Sequence, residues 1–471
     1  MTSAEADRTG RAVSDGDARP HGRWPLYWFA GAVVCVLGPY VVGGIRTEQL
    51  ALYGSAVVAV LLYWRHARVL LPGAPVLALW ASYALVAAVG GLTIESRLEW
   101  GSGSLVAGLD NALLPLATMT AVAFWTRVVA RTVLLRTASW VVVGAMALNG
   151  AIAVLTSVVG VEQLSPLRAF WAASGSEATV AELAAGSGRF SGVFNQPAEA
   201  GVAYSLAAFC VVYLVRSGTS VPRRVWLALW VLVILGGVMT LSKIFIVGGV
   251  LITLGLVLTG RPHRRLLTAS AALTVAGSFT LGALGWLGTW GASGMLGWYV
   301  WSAQAGNSWL YTLSAGRFGA GSAGDAPTPT PEPEDGSGGV PSEFEQPGGL
   351  VELAREVLLE HPVVGVGAKG LPVSYDSTWI EAIVVAGVVG ALLVLAVHVV
   401  LLIQWIRLRQ TLPREEWRLA GAIVLLVWGS SFGMPSLTGN RESTLLWIFL
   451  SILVVFTQRG SQWDRTLDSA P

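Results

Sequence analysis

Residues 376–403 read DSTWIEAIVVAGVVGALLVLAVHVVLLI, a long apolar run in which Glu381 and His398 are the only ionisable side chains after the opening aspartate. An apolar run of about 20 residues has the length of a helix that crosses the hydrocarbon of a bilayer. Comparable runs lie at about 26–45, 48–64, 73–93, 104–126, 138–160, 198–215, 225–241, 244–260, 266–288, 417–433 and 443–457. We therefore predict an all-α, polytopic integral membrane protein of about twelve transmembrane helices.

The composition excludes a soluble globular domain. Hydrophobic residues make up 54% of the chain and charged residues 12%, and the mean hydropathy is +0.63. Cys35 and Cys210, the two cysteines, lie in apolar runs, where we expect small buried side chains and no disulfide. The sequence has no metal-ligand cluster and no phosphate-binding glycine loop, so we predict no metal, no cofactor and no nucleic-acid partner.

The arginines set the predicted orientation. If the polar N-terminal tail is cytoplasmic, 21 of the 30 basic residues fall on the cytoplasmic side. The positive-inside rule then predicts that both termini are cytoplasmic, and we expect a multi-pass protein of the bacterial plasma membrane. The predicted divisions are a cytoplasmic tail (1–25), helices one to nine (26–288), a large external loop (289–375), helices ten to twelve (376–457) and a second cytoplasmic tail (458–471).

The large external loop has three notable parts. Residues 319–349 are rich in Pro, Gly and acidic residues, and we interpret them as a disordered insertion. The tryptophan-rich stretch 285–301 is typical of interfacial anchors, and a sugar-stacking platform is the alternative. Residues 350–362, LVELAREVLLEHP, carry an apolar stripe at helical spacing, which predicts a helix lying on the membrane or on the helix bundle.

Nine basic residues fall on the predicted outer side. Three have acidic residues nearby in sequence and are expected to form ion pairs: Arg46 with Glu48, Arg97 with Glu95 or Glu99, and Arg168 with Glu162. The other six lie at external helix ends or on the large loop: Arg189, Lys243, Arg317, Arg355, Lys369 and Arg441. Snorkelling to the interface explains any one of them, whereas together they provide the charge that an anionic lipid diphosphate needs.

Acids and bases are few on this side. Asp376 opens the tenth run and fits two roles, helix N-cap and catalytic base. Glu381 follows within the same run, while Asp110 and Glu199 lie near the outer ends of theirs, where carboxylates usually face a cavity or a partner. His361 ends the amphipathic segment, where it can cap the helix C-terminus.

Five short segments occur in order between about 185 and 395: GRFSGVFNQPAEAG (188–201), MTLSKIFIVGG (239–249), SAGRF (314–318), HPVVGVG (361–367) and YDSTWIEAIVVAGVVGALL (375–393). In this order and topology they resemble the O-antigen ligase and polymerase family of bacterial membrane glycosyltransferases. The first is similar to that family's Arg-x-x-Gly-x-Phe-x-x-Pro segment and the second to its Ser-Arg turn. The last three resemble its large-loop arginine, its Pro-x-x-Gly-x-Gly turn and the span that follows.

The resemblance implies an enzyme of cell-surface polysaccharide biosynthesis. Family members transfer a glycan from a polyprenyl-diphosphate carrier, on the outer face of the membrane, to a glycan, lipid or protein acceptor, by an inverting displacement without metal. Carried over, the residues that bind the diphosphate are Arg189, Lys243, Arg317 and, less directly, Arg355. Asp376 takes the position of the catalytic base. The supporting candidates are Glu381, His361 and Arg441.

At two positions the sequence departs from the family pattern, which counts against this expectation. Asp376 stands where the family has histidine, and Lys243 stands where it has arginine, which keeps the charge but gives up bidentate phosphate binding. The acidic insertion also separates Arg317 from the helix that it usually precedes. Two other functions stay open: a transporter or flippase for lipid-linked glycan, and an inactive relative that acts as a scaffold.

Overall fold

The computed structural model of the protein describes residues 23–41, 45–63, 75–94, 104–171, 179–186, 188–259, 349–370, 377–438 and 441–456. Within these ranges the protein is all-helical, with no β-strand. The helices are α1 (Trp24–Val36), α2 (Thr47–Tyr63), α3 (Pro75–Thr93), α4 (Leu105–Val128), α5 (Arg131–Val159), α6 (Val180–Gly186), α7 (Pro197–Arg216), α8 (Arg223–Met239), α9 (Val250–Leu258), α10 (Gly349–Glu360), α11 (Thr378–Arg407), α12 (Arg414–Ser430) and α13 (Arg441–Leu450). A 3-10 segment covers Glu162–Phe170, and π-helical turns Ile244–Gly249 and Ser451–Val455 precede α9 and follow α13.

The all-α prediction is confirmed. A helix lies in each predicted apolar run except 266–288, which is outside the described residues together with most of the predicted external loop. The amphipathic segment forms α10, and its Leu353 and Val357 are buried where α10 packs against α11. The total of about twelve spans and the large external loop stay predictions.

In the part of the chain that the structure describes, five helices are long and apolar enough to cross a membrane: Pro75–Thr93, Leu105–Val128, Arg131–Val159, Pro197–Arg216 and Thr378–Gln410. Large apolar side chains also face outward, among them Leu61 (71% exposed), Val106 (77%) and Val158 (78%). Extended apolar surface is unfavourable against water and suits a lipid surrounding. Both observations are consistent with a membrane protein.

Helix α7 forms the centre of the bundle, because 89% of its apolar 18-residue stretch is buried inside the protein. It packs against α5, α8, α9, α12 and α13. At the end of α7 that carries Arg216, ion pairs tie it to α12 through Glu415 (3.3 Å) and tie α5 to α12 through Arg131 and Glu416 (2.9 Å). The opposite end, where α2, α7 and α13 begin, is called the Arg441 end below.

Helix α11 is not one straight helix, although its sequence predicts a single run. Its backbone leaves helical geometry at Ala386 and Gly387, where Gly387 has φ +61°. The rings of Trp379 and His398 lie 4.9 Å apart, whereas residues this far apart in a straight helix are separated by about 28 Å. The first two turns of α11 therefore fold back along the rest of the helix.

The turn 361–367 fills this break and satisfies the backbone groups that it frees. Val388 N donates to Pro362 O (2.9 Å), and Val366 N donates to Val384 O (2.8 Å). An interrupted helix is tolerated inside a membrane protein only where other protein groups supply such partners. A Cβ at Gly365 of this turn would lie 2.5 Å from Val384 O, so this glycine is needed for the close approach of the two backbones, while Gly367 lies against the backbone of Gly90 and Gly91 in α3.

Gly387→Ala is expected to destabilise the protein by about 1–3 kcal/mol or more. A Cβ at this position would lie 2.6 Å from Val363 O, and the positive φ disfavours any other residue. Thermal melting of the purified protein in lipid nanodiscs measures the change. Gly144→Ala, at a helical site with no atom within 4 Å of the added methyl group, is the matched control and should melt no lower than wild type. Equal melting temperatures for Gly387→Ala and wild type would contradict the description of the break.

Candidate functional site at the Arg441 end

The segment 188–196, between α6 and α7, lies against the turn that follows α8. Phe190 N donates to Met239 O (2.9 Å), and Arg189 Nε donates to Thr240 O (3.4 Å). The Arg189 side chain is half-buried. These contacts join the first two segments of the sequence resemblance, which are far apart in the chain.

Lys243 ends the turn after α8 and is half-buried. Within this turn, Leu241 has φ +48°, the one positive φ of a non-glycine residue in the part of the chain that the structure describes. Such strain persists only where surrounding contacts impose it. Ser242 supplies one of them, because it packs so close to Gly201 that a Cβ there would lie 2.3 Å from Ser242 Oγ. The turn is therefore fixed against the first part of α7.

Asn149 of α5 holds the segment 188–196 in place. Its Nδ2 donates to Ser191 O (3.2 Å), and its Oδ1 accepts from Val193 N (2.8 Å). Gly192 lies between these residues at φ +63°, and a Cβ there would collide with the Asn149 amide. The glycine that the resemblance singles out is needed for this close contact.

Arg441, the first residue of α13, is 1% exposed and joins three segments of the chain. Its Nη1 donates to Val193 O (2.5 Å), and its Nη2 donates to Gly38 O (2.9 Å) and Phe170 O (2.8 Å). Its guanidinium also lies over the Tyr40 ring, 5.7 Å from the centroid. Because these donors are directed to backbone carbonyls, Arg441 is placed to position the segment that carries Arg189.

Four acidic residues lie at this end of the bundle and are called the carboxylate layer: Glu48, Asp110, Glu199 and Glu442. Glu48, Glu199 and Glu442 are 0%, 3% and 1% exposed. Arg46 forms an ion pair with Glu48 and a second, at 3.3 Å, with Asp110. Asp110 also accepts hydrogen bonds from Gln49 and Tyr53. Buried carboxylates of this kind are costly, and they mark a functional region in a membrane protein.

Glu381 lies in the folded-back part of α11 and is buried. Its carboxylate accepts a short hydrogen bond from Thr438 Oγ1, three residues before Arg441. Three residues of extended chain reach about 10 Å. Glu381 and Arg441 are therefore close to the same stretch of chain, the connection between α12 and α13.

His398 is fully buried beside this connection, as expected for a packed histidine. Its Nε2 lies 3.0 Å from Ser431 Oγ and its Nδ1 lies 2.8 Å from Val394 O. Trp379 and Trp428 pack on its ring at 4.9 Å and 5.1 Å. The histidine thus links the two parts of α11 to the end of α12.

Four sequence candidates are not joined to this group by contacts that the structure describes. Asp376 and Arg317 lie outside the described residues. Arg355 is exposed on α10. His361 follows the C-terminus of α10, where its backbone N donates to Val357 O (2.7 Å), in keeping with a position at the end of that helix.

The expected ion pairs have separate outcomes. The pair of Arg46 and Glu48 is confirmed, and Arg97 lies outside the described residues. The partner predicted for Arg168 was wrong, because its Nε contacts Glu182 Oε1 at 2.7 Å. Partial burial raises the pKa of Glu182, but hydrogen bonds from Thr179 and Arg168 outweigh it and lower that pKa overall.

Comparison of the chain with models of known protein families gives no match. Comparison with curated proteins gives no match either.

Sequence reasoning missed Glu48 and Glu442 as members of one group. The sequence predicts only a local ion pair for Glu48 and assigns no role to Glu442. The available signal was the position of Glu442, a carboxylate directly after Arg441 at the start of an apolar run, where a charge is unfavourable without a partner.

Arg441→Lys is expected to destabilise the protein by at least about 2 kcal/mol, because buried carbonyls lose their donors. Thermal melting in nanodiscs measures the loss. The control is Arg168→Lys, since Arg168 pairs with Glu182 at 60% side-chain exposure and such surface pairs contribute at most about 1 kcal/mol. If both variants melt alike, Arg441 does not hold the three segments together.

Proposed function

We propose that the protein is a membrane glycosyltransferase that polymerises or ligates polyprenyl-diphosphate-linked oligosaccharide during cell-surface polysaccharide biosynthesis. The carrier-linked glycan is the donor, and the acceptor is a second glycan or a lipid-linked acceptor. The bundle crosses the bacterial plasma membrane about twelve times with both termini in the cytoplasm. The Arg441 end faces outward.

The observation that carries the proposal is the convergence of residues from the resembling segments. Arg189 contacts the turn that carries Lys243, and four residues later Val193 accepts from Arg441. Glu381 contacts Thr438, just before Arg441. Cations and a carboxylate from segments far apart in the chain are thereby gathered at one end of the bundle, which supports a site for an anionic lipid.

In the proposed reaction, an acceptor hydroxyl oxygen forms a bond to the anomeric carbon while the bond from that carbon to the diphosphate oxygen breaks. The polyprenyl diphosphate leaves with the bonding electron pair. Arg189 and Lys243 stabilise the negative charge that develops on it, and the hydroxyl proton passes to Asp376, the proposed general base. Arg441 acts as a positioning residue, and the transfer inverts the anomeric configuration without a metal.

A second candidate is a flippase or transporter for the same lipid-linked glycan. The interrupted helix α11 and the carboxylate layer favour it, because discontinuous helices and buried carboxylates are common in transporters. In liposomes, a flippase moves the labelled lipid-linked glycan between leaflets without releasing polyprenyl diphosphate, whereas a transferase releases it. One preparation therefore distinguishes the two functions.

Purified protein in nanodiscs, supplied with a polyprenyl-diphosphate oligosaccharide, is expected to release polyprenyl diphosphate and form a longer glycan. Lys243→Ala and Arg189→Ala should each lower the rate by about 10²–10³-fold, as expected for groups that stabilise leaving-group charge. Arg168→Ala is the control, because it removes a cation from an exposed ion pair, and it should leave the rate unchanged. Equal losses in all three variants would contradict a specific diphosphate site.

Asp376→Asn is expected to lower the transfer rate by about 10²–10⁴-fold, the usual contribution of a general base. The KM for the lipid-linked donor should change little, since the base acts on the acceptor hydroxyl. Glu381→Gln serves as the comparison, because Glu381 is already bonded to Thr438. A larger loss of transfer rate in Glu381→Gln than in Asp376→Asn would indicate that Glu381 is the general base and Asp376 is not.

A further inference from the structure

Glu442, unlike Glu48 and Asp110, forms no ion pair among the described residues. Neither oxygen of its carboxylate has a hydrogen-bond donor among the described residues. Arg441, the residue before it, donates to backbone carbonyls, and Arg46 pairs with Glu48 and Asp110. Glu442 is thus enclosed in protein without a matched donor.

The charges facing Glu442 come from each element around it. Glu199, at the start of α7, and Glu48 of α2 disfavour a negative charge on Glu442, while Arg46 favours it. Asp110 of α4 belongs to the same layer but is bonded to Gln49, Tyr53 and Arg46.

Helices α1 and α12, which also pack against α13, bring no charged side chain to this end of the bundle. Helix α1 has no charged side chain, and the charges of α12 lie in its first five residues, at the opposite end of the bundle. An ionised carboxylate that is buried without a donor and next to like charges is strongly unfavourable. A proton removes the charge and supplies the missing donor.

We propose that Glu442 is a proton-binding site that stays neutral in the folded protein at neutral pH. The ligand is a proton, and the site is built from the burial of Glu442 and from its carboxylate, which has no hydrogen-bond donor among the described residues. The inference does not depend on the proposed glycosyl transfer, since it concerns the charge state of the layer whichever molecule binds at this end. If the proposed glycosyl transfer is disproved, the proposal for Glu442 is unaffected, and the reverse also holds.

Infrared difference spectroscopy at neutral pH tests this assignment on the full-length protein in nanodiscs. The spectrum of wild type minus Glu442→Gln should contain the carbonyl band of a protonated carboxylic acid and no carboxylate bands. Wild type minus Glu182→Gln is the matched control. It should contain carboxylate bands, because Glu182 accepts from Arg168 and Thr179.

Each outcome decides the question. Carboxylate bands in the Glu442→Gln difference would overturn the proposal, as would a protonated-acid band that appears for Glu199→Gln instead. Glutamine has the shape and neutrality of the protonated acid, so a Glu442→Gln variant that fails to fold would also count against it.

Proton uptake on folding gives a second measurement. If the folded protein keeps a proton that the unfolded chain releases, the folding equilibrium of wild type must weaken as pH rises from 6 to 8. The folding equilibrium constant of wild type should fall by about a factor of ten more per pH unit than that of Glu442→Gln. Parallel pH dependences for the two proteins would show that Glu442 carries no proton in the folded state.

Discussion

The contacts of Arg441 with three backbone carbonyls are the interaction on which the Arg441 end of the bundle depends. They connect the loop after α1, the 3-10 segment and the segment 188–196 to the start of α13. A buried guanidinium is costly unless its donors are used, and those carbonyls would otherwise lack partners in a region that excludes water. The position of Arg189 therefore depends on Arg441, which belongs to a different helix.

The same requirement, that buried backbone groups find partners, explains the shape of α11. Its break at Gly387 is matched by hydrogen bonds from the turn 361–367, and the fold-back brings Glu381 to Thr438 and Trp379 to His398. An unbroken helix would carry Glu381 well away from His398. The break therefore determines which side chains of α11 approach the connection between α12 and α13.

The positions of the helices could be predicted from the sequence because apolar runs of suitable length are local signals. The predicted run 198–215, for example, corresponds to the helix Pro197–Arg216. The break in α11 could not be predicted, because Gly387 lies in an apolar stretch that continues on both sides without a polar residue. Its geometry is set by a contact with the turn 361–367, and such contacts are not visible in hydropathy.

The candidate site was predictable to a similar degree. Arg189 and Lys243 were identified from short segments, and their proximity follows from contacts that no local pattern encodes. The carboxylate layer was missed as a group, because Glu48, Glu199 and Glu442 come from three helices that are distant in sequence. The sequence identifies the charged candidates by residue type. The packing of α7 and α13 determines which of them lie close together.

The most direct test of the central claim is a cryo-electron-microscopy structure of the full-length protein in nanodiscs with a polyprenyl diphosphate. The account predicts density for the diphosphate at the Arg441 end, within hydrogen-bond distance of Arg189 and Lys243. Density at the opposite end of the bundle, near Arg131 and Arg216, would contradict it. So would diphosphate density at the Arg441 end that contacts neither Arg189 nor Lys243.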